Sequence, residues 1–342
     1  MVTLAITGDV MLGRLVDRYV FSDPGRDPAE VWGDTPYLLA AADLRLMNLE
    51  CVIGSQCVEW RRAPKAFNFG ACPRAIEALT DVGTDCVSLA NNHVLDFGAA
   101  NLLEMLDLLD AHGIARAGAG RELVEALRPA FLTTGGTTVA VLGVTDNEPE
   151  WEAGEPRPGV NHVEYGDQGL SEPYLGRLGH AIGEARRRAD LVIVSAHVGP
   201  NWGAPSTAMR ALARQLIDLG ADLYWGHSCH TTQGIELYRG RPILYATGDF
   251  LDDYAVDPAE RNDLSFLFRV GVEHGAIREL RLHPVRIGHL QVNRAKAADA
   301  GWVMRWMRDR CRPFGTPLRE EDGALVVPVS PAPAVVSAAS AA

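Results

Sequence analysis

Five short apolar runs, each leading into a residue that can bind a metal or carry a proton, constrain this chain more than any other feature of its sequence. VTLAIT, from Val2, is followed by Asp9; LRLMNL, from Leu44, by Glu50; CVSLA, from Cys86, by Asn92 and His93; LVIVSA, from Leu191, by His197; and the shorter ADLYW by His227 and His230. Runs this short and this apolar, with TTVAVLGV from Thr137 as another, predict buried strands. Between several of them apolar residues recur at spacings of three and four, which predicts helices over Arg74 to Asp81, Ala100 to His112, Glu172 to Arg188 and Thr207 to Leu219. The fold class is therefore α/β.

In open α/β sheets, sites assemble at the carboxyl ends of strands, where a rigid sheet holds the loops. Each residue alone has a structural reading: Asp9 as a turn residue after Gly8, Asn92 as a helix cap, His197 as a satisfied core histidine. Turn chemistry favours Gly, Asn and Asp but has no need of histidines. Five coincident strand ends thus predict one shared site.

Beyond about residue 230 the texture changes to alternating runs, GIELY, PILYAT, LSFLFRV and IRELRLHPV, with Gly240 and Gly275 at hairpin turns. This predicts a second, largely antiparallel sheet. A last helix is expected from Asn293 to Cys311. The expected organisation is one domain over residues 1–312 and a C-terminal extension over 313–342, disordered from about residue 328, where the tail becomes small and Pro-containing.

With 342 residues, 47% hydrophobic and 22% charged, the chain can bury a large core and is not a disordered polymer. A formal net charge of -12 argues against nucleic-acid binding. No apolar run is long enough for a membrane span and the first residues lack a signal-peptide pattern, so a cytoplasmic protein without membrane insertion is expected. The six cysteines lack paired spacing, with Cys51 and Cys57 the one close pair, and read as reduced thiols.

Carboxylate, amide oxygen and imidazole donors suit Mn, Fe, Zn or Mg, one ion or two. Cys229, between His227 and His230, reads either as a ligand or as a small packed residue. Glu50 is the best placed bridging carboxylate of a two-metal centre, which would activate a hydroxide at neutral pH. His93 is then free to act as general acid, and Asp96 either orients its imidazole or caps the helix that follows. The basic segment WRRAPKAFNF carries Arg61, Arg62 and Lys65, which could clamp a phosphate or carboxylate over the metals or simply form an exposed loop.

The segments GDVMLGR (Gly8 to Arg14), NLE (Asn48 to Glu50), SLANNHVLDFG (Ser88 to Gly98), GADLYWGHSCHTTQGIE (Gly220 to Glu236) and ILYATGDF (Ile243 to Phe250) resemble the CapA family of poly-gamma-glutamate capsule proteins, within the calcineurin-like metallophosphoesterase superfamily. The resemblance implies a four-layer α/β/β/α sandwich with a binuclear site at one end. It also implies that Asp9, Glu50 and His230 hold one ion, that Glu50, Asn92, His197 and His227 hold the other, and that His93 is the catalytic histidine. Met11 stands where the superfamily usually has a histidine, and Ser228 where the family commonly has another. Asn201 and Trp202 follow His197 in place of the family's tryptophan and glutamate. Asp249 replaces the asparagine of the usual GNF; with Asp252 and Asp253 it reads as a contact for a cationic substrate or as part of a solvated acidic loop.

Two functions follow from the sequence. One is a hydrolase acting on a phosphoester or a γ-glutamyl amide in a small or peptide-like substrate; the other is a non-catalytic or polymer-binding component of capsule polymer synthesis or export.

Overall fold

Strand β1 (Val2–Val10) is buried along nearly its whole length because its two faces serve two different cores. Val2, Leu4 and Ile6 point to one, and Ala5 and Val10 to the other. In the computed structural model, which describes residues 1–55 and 65–330, β1 lies beside β2 (Leu44–Leu49), β3 (Cys86–Ser88) and β4 (Ala115–Ala117), all parallel.

The chain then builds another sheet. β5 (Ala130–Thr134) forms a hairpin with β6 (Thr137–Thr145), and β7 (Leu191–His197) and β8 (Leu223–His227) continue parallel to β6. β9 (Ile235–Tyr238) and β10 (Arg241–Leu244) complete it in the spatial order β9-β10-β8-β7-β6-β5.

The last part of the chain returns to the first sheet. β11 (Asp249–Leu251) pairs parallel with the end of β1, and β12 (Leu264–Glu273) pairs antiparallel along it. β13 (Ala276–Gly288) pairs with β12, β14 (Gln291–Arg294) and the hairpin of β15 (Arg319–Glu321) and β16 (Ala324–Pro328). The path of this sheet is β15-β16-β13-β12-β1-β2-β3-β4.

Alternation along the strands separates three cores, and these define the layers. Leu4, Leu46, Val141, Ile193, Trp225, Phe266 and Phe268 fill the space between the sheets. Helices α1 (Ile76–Asp81) and α2 (Gly98–Ala111) cover the outer face of the first sheet through Leu79, Leu102, Met105 and Leu106. Helices α3 (Tyr174–Arg186) and α4 (Thr207–Asp218) cover the second through Leu178, Ile182, Leu212 and Leu216, and Ser206 caps α4 by accepting from the Met209 N–H. The fold is an α/β/β/α sandwich. Helix α5 (Ala297–Cys311) sends Val303, Met307 and Cys311 into the inter-sheet core, against β9, β12 and β13. Full burial of a large apolar side chain contributes about 1.5–3 kcal/mol, so this central layer fixes the strand ends where the site forms.

Three expectations are corrected. The alternating runs after residue 230 are antiparallel hairpins but make no sheet of their own: β9 and β10 extend the β6–β8 sheet, and β12 to β16 extend the β1 sheet. Alternation fixes which face is buried, not which edge a hairpin joins. The boundary at residue 312 also fails to divide the structure, because β16 pairs with β13 and buries Leu325 and Val327 between the sheets. The last helix starts at Ala297 because Gln291–Arg294 is a strand. Residues 331–342 lie outside the described residues. No helix among the described residues is long and apolar enough to cross a membrane.

Candidate metal centre

Two glycines bring the first two acids together. A side chain at Gly8 would meet the Gly248 carbonyl oxygen at 1.9 Å, and Gly248 itself has φ +67. Only chains lacking Cβ atoms there let the 247–249 backbone run against β1, where the Asp9 N–H donates to Gly248 O (2.9 Å). Asp9 and Asp249 thereby become direct neighbours in register.

Glu50 arrives from the end of β2. Asn48, two residues earlier and so on the same face, donates through Nδ2 to Asp9 Oδ1 (2.7 Å). His230 arrives from a turn after β8 in which Ser228 adopts φ +80, an uncommon conformation for a non-glycine residue. The turn is held by Ser228 Oγ donating to Gly199 O (2.9 Å) and by the His230 N–H donating to Asn201 O (3.0 Å).

Among the described residues, Asp9, Glu50, His230 and Asp249 form a group whose donor atoms all lie within 4.8 Å of one another. His230 Nδ1 is 2.9 Å from Asp249 Oδ1. Asp9 Oδ2, Asp249 Oδ2 and Asn92 Oδ1 are buried and meet no hydrogen-bond partner, which is the state expected of oxygens that complete their bonding with a cation. Burial pushes the Glu50 carboxyl well above its usual range, and the Asp9 charge adds to this; burial, Asp252 and Asp9 do the same to Asp249. Asp9 is also raised by burial, but its contacts with His227 and the charges of His197, His227 and His230 outweigh that and hold it at about 2. Three carboxylates so close and so buried cannot all stay ionised alone. The residues present fit a divalent cation, and this donor set is a possible metal-binding cluster.

The other sequence-predicted residues surround this group in different ways. His197 Nε2 lies 3.6 Å from Glu50 Oε1, and burial lowers its pKa to about 3. His227 sits behind Asp9, with Nδ1 3.1 Å from Asp9 Oδ1 and Nε2 3.0 Å from Ser195 Oγ, so both ring nitrogens already have partners inside the protein. Ser195 in turn donates to Ser88 (2.8 Å). Met11 is buried with its sulfur accepting from the Gly13 N–H (3.1 Å). Cys229 is packed, its sulfur accepting from Gln233 Nε2 (3.2 Å), and it is not one of the clustered donors.

Asn92 and His93 lie in a loop pinned by Asn91, whose Nδ2 donates to Leu49 O (2.8 Å) and whose Oδ1 accepts from the His93 N–H (3.0 Å). His93 Nδ1 is 2.6 Å from Asp96 Oδ2. Its ring stacks on Phe69 at 3.6 Å between centroids, and its Nε2 faces Glu50 Oε1 at 3.9 Å. Asp96 also accepts from the Phe69 N–H (2.6 Å) and pairs with the Lys65 ammonium. The helix after it begins at Gly98 with Phe97 as N-cap, so the alternative of a capping role falls away. Burial pushes Asp96 up to about 7 against the opposing pull of Lys65; burial, with Lys65 next, lowers His93 well below its ordinary value.

These groups open into a pocket of about 550 Å³ lined by Glu50, Asn92, His93, His197 and His230, with Asn201, Trp202, Tyr254 and Arg14 at its sides. Lys65 does not stand free in it as a clamp: its Nζ contacts Asn92 O and Asp96 and lies 4.6 Å from the Trp151 ring centre. Asp249, read from the sequence as a contact for substrate, sits in the cluster of acids. Arg61, Arg62 and Cys57 lie outside the described residues; the described cysteines, Cys51 among them, are free thiols.

The model of the bacterial capsule synthesis protein PGA_cap family matches residues 3–254. This chain belongs to the PGA_cap family. It is 33% identical to a probable polyglutamine synthesis accessory protein of Mycobacterium tuberculosis, over 92% of both chains. It is 29% identical to the PGA biosynthesis protein CapA of Bacillus subtilis, over 73% of this chain and 63% of that protein. A hypothetical protein from Thermus thermophilus shares the fold, with a TM-score of 0.50 at 16% identity over 82% of this chain and 98% of that one.

In this PGA_cap chain, sequence reasoning passed over four residues that shape the site: Asn48, Asn91, Tyr254 and Arg14. The first two carried a signal, since Asn48 shares a strand face with Glu50 and Asn91 stands beside two singled-out residues. Tyr254, whose OH donates to Glu50 Oε2 at 3.4 Å, and Arg14 carried none.

Proposed function

We propose that this PGA_cap protein is a metal-dependent hydrolase acting on a phosphoester or on an amide such as a γ-glutamyl bond. The observation that supports it best is the group of Asp9, Glu50, Asp249 and His230, of which Glu50 and His230 line a pocket that also presents His93. These four would hold a divalent ion, with Asn92 and His197 beside them for a second or for substrate. Three carboxylates and one imidazole favour hard-to-borderline cations such as Mn, Fe or Mg over thiophilic ones, and Zn is compatible. The ion would supply Lewis-acid polarisation of the scissile group.

The chain's own part is proton handling and positioning. Asp96 holds His93 through Nδ1, and Nε2, which lies 3.2 Å from Asn92 Nδ2, is the nitrogen that would exchange a proton with the leaving atom. Burial favours the neutral imidazole, so a proton on Nε2 is readily given up. Tyr254 and Asn48 fix the carboxylates of Glu50 and Asp9.

The test is elemental analysis of unchelated protein, followed by a screen of phosphoesters against γ-glutamyl amides. Turnover that disappears with chelation and returns with Mn or Zn supports the hydrolase. A second reading, a polymer-binding component without turnover, draws on the accessory role in the Mycobacterium tuberculosis relative's name and on Met11 and Ser228 at positions where histidines are usual. Near-zero transition metal after supplementation would favour it.

A further inference from the structure

Arg14 is held in an unusual way at the side of the pocket. Its backbone has φ +54, a left-handed conformation that costs a non-glycine residue free energy and persists where surrounding contacts impose it. Asp253 imposes it: Oδ2 accepts from the Leu15 N–H (2.8 Å), and Oδ1 lies 3.4 Å from Arg14 Nε. The guanidinium carbon then stands 5.3, 5.5 and 5.9 Å from the ring centres of Phe67, Phe69 and Tyr254. Such distances suit cation–π attraction, which holds the planar group without using its outer N–H donors.

Those donors are the important part. Among the described residues, no hydrogen bond is made by Arg14 Nη1 or Nη2, and its side chain keeps 31% of its exposure. Lys65, the other described cation lining the pocket, is consumed by Asp96 and Asn92. Phe69, against which the guanidinium lies, stacks on His93. Arg14 therefore presents a charged fork one aromatic ring away from the proposed proton carrier.

We propose that Arg14 is the anion-binding subsite of this pocket, taking a carboxylate or phosphate of the substrate that is not the scissile group. A guanidinium with two free parallel donors matches either oxyanion bidentately. This deepens the hydrolase reading and rests on it for the position of the scissile bond, but the binding itself requires no turnover.

The experiment is calorimetric titration of metal-loaded full-length protein with three probes: a γ-glutamyl trimer, the same trimer with its carboxyls amidated, and inorganic phosphate. Arg14→Gln should weaken the anionic trimer or phosphate by about tenfold or more, as for loss of a charge-assisted bidentate pair, with metal content and unfolding midpoint unchanged. Arg14→Lys, which keeps charge and backbone demands, should recover part of the affinity. The amidated trimer should bind both variants as it binds the wild type. Dependence on Arg14 for the trimer alone identifies a carboxylate, and for phosphate alone a phosphoryl group. Wild-type affinity of Arg14→Gln for both anions, or an equal loss for the amidated trimer, would overturn the proposal. Absence of any hydrolysis would count against the hydrolase reading while leaving the binding result intact.

Discussion

His93 Nδ1 lies 2.6 Å from Asp96 Oδ2, and that carboxylate is itself fixed by the Phe69 N–H and the Lys65 ammonium. Phe69 also stacks on one face of the imidazole. Its other nitrogen, Nε2, lies 3.2 Å from Asn92 Nδ2 on the pocket side, and the contacts that hold Nδ1 and the ring face involve none of the four clustered donors.

His93→Ala should lower turnover by about two orders of magnitude or more, as for loss of a general acid or base, with metal content unchanged. Asp96→Asn should reproduce much of that loss and alter the pH profile of turnover. Measured kcat together with elemental analysis checks both. Unchanged turnover in His93→Ala would remove it as the proton carrier.

Asp249 stands among the four donors through its register with Asp9. Asp249→Asn should weaken divalent-ion binding by at least about tenfold, since even partners of metal ligands commonly cost that much. Titration of Mn followed by paramagnetic resonance reads this directly. Equal Mn affinity in variant and wild type would return Asp249 to a substrate-contact role.

Gly8→Ala places a methyl group 1.9 Å from the Gly248 oxygen. Backbone, not a flexible side chain, would have to give, so the variant should lose about 1–3 kcal/mol of stability and bind metal more weakly as Asp249 moves away from Asp9. Urea unfolding and the same Mn titration test it. A variant with wild-type midpoint would show that β1 and the 247–249 segment separate without cost.

His283 on β13 is kept neutral by burial and by Arg269 and Arg281, which lower its pKa from 6.5 to about 4. The unfolded chain therefore takes up a proton between those values that the folded chain refuses. Stability is unaffected by this group above pH 6.5, falls as pH drops from 6.5 towards 4, and levels off below. His283→Leu should remove that part of the acid sensitivity, so its stability relative to wild type should be greater at about pH 4.5 than at about pH 7.5. An identical difference at the two pH values would contradict the assignment.

Much of the site was legible because its chemistry is written locally. A strand run ending in Asp9, Glu50, Asn92, His197 or His227 needs only the residues before it to be read, and helices α1 to α4 fall within two residues of their expected bounds. What depended on long-range pairing was hidden. Asp249 looked like one of several loop carboxylates, since nothing local reveals that Gly8 and Gly248 let two backbones touch. Lys65 read either as a clamp or as part of an exposed loop, because its ion pair with Asp96 joins segments remote in the chain. His227 looked equivalent to His230, yet the turn at Ser228 brings His230 into the group of four donors and leaves His227 bonded between Asp9 and Ser195.

The sequence alone determined the α/β class, the strand that carries each reactive group, and the pool of acids and imidazoles from which a cation site could be drawn. Only the tertiary structure decided which four of them lie within shared-donor distance, which imidazole is aimed by a carboxylate, and which edge the late hairpins join. The reason is physical: hydrophobic periodicity fixes a residue's face within a few neighbours, whereas strand register, close backbone approach and ion pairing are set by contacts between segments remote in the chain.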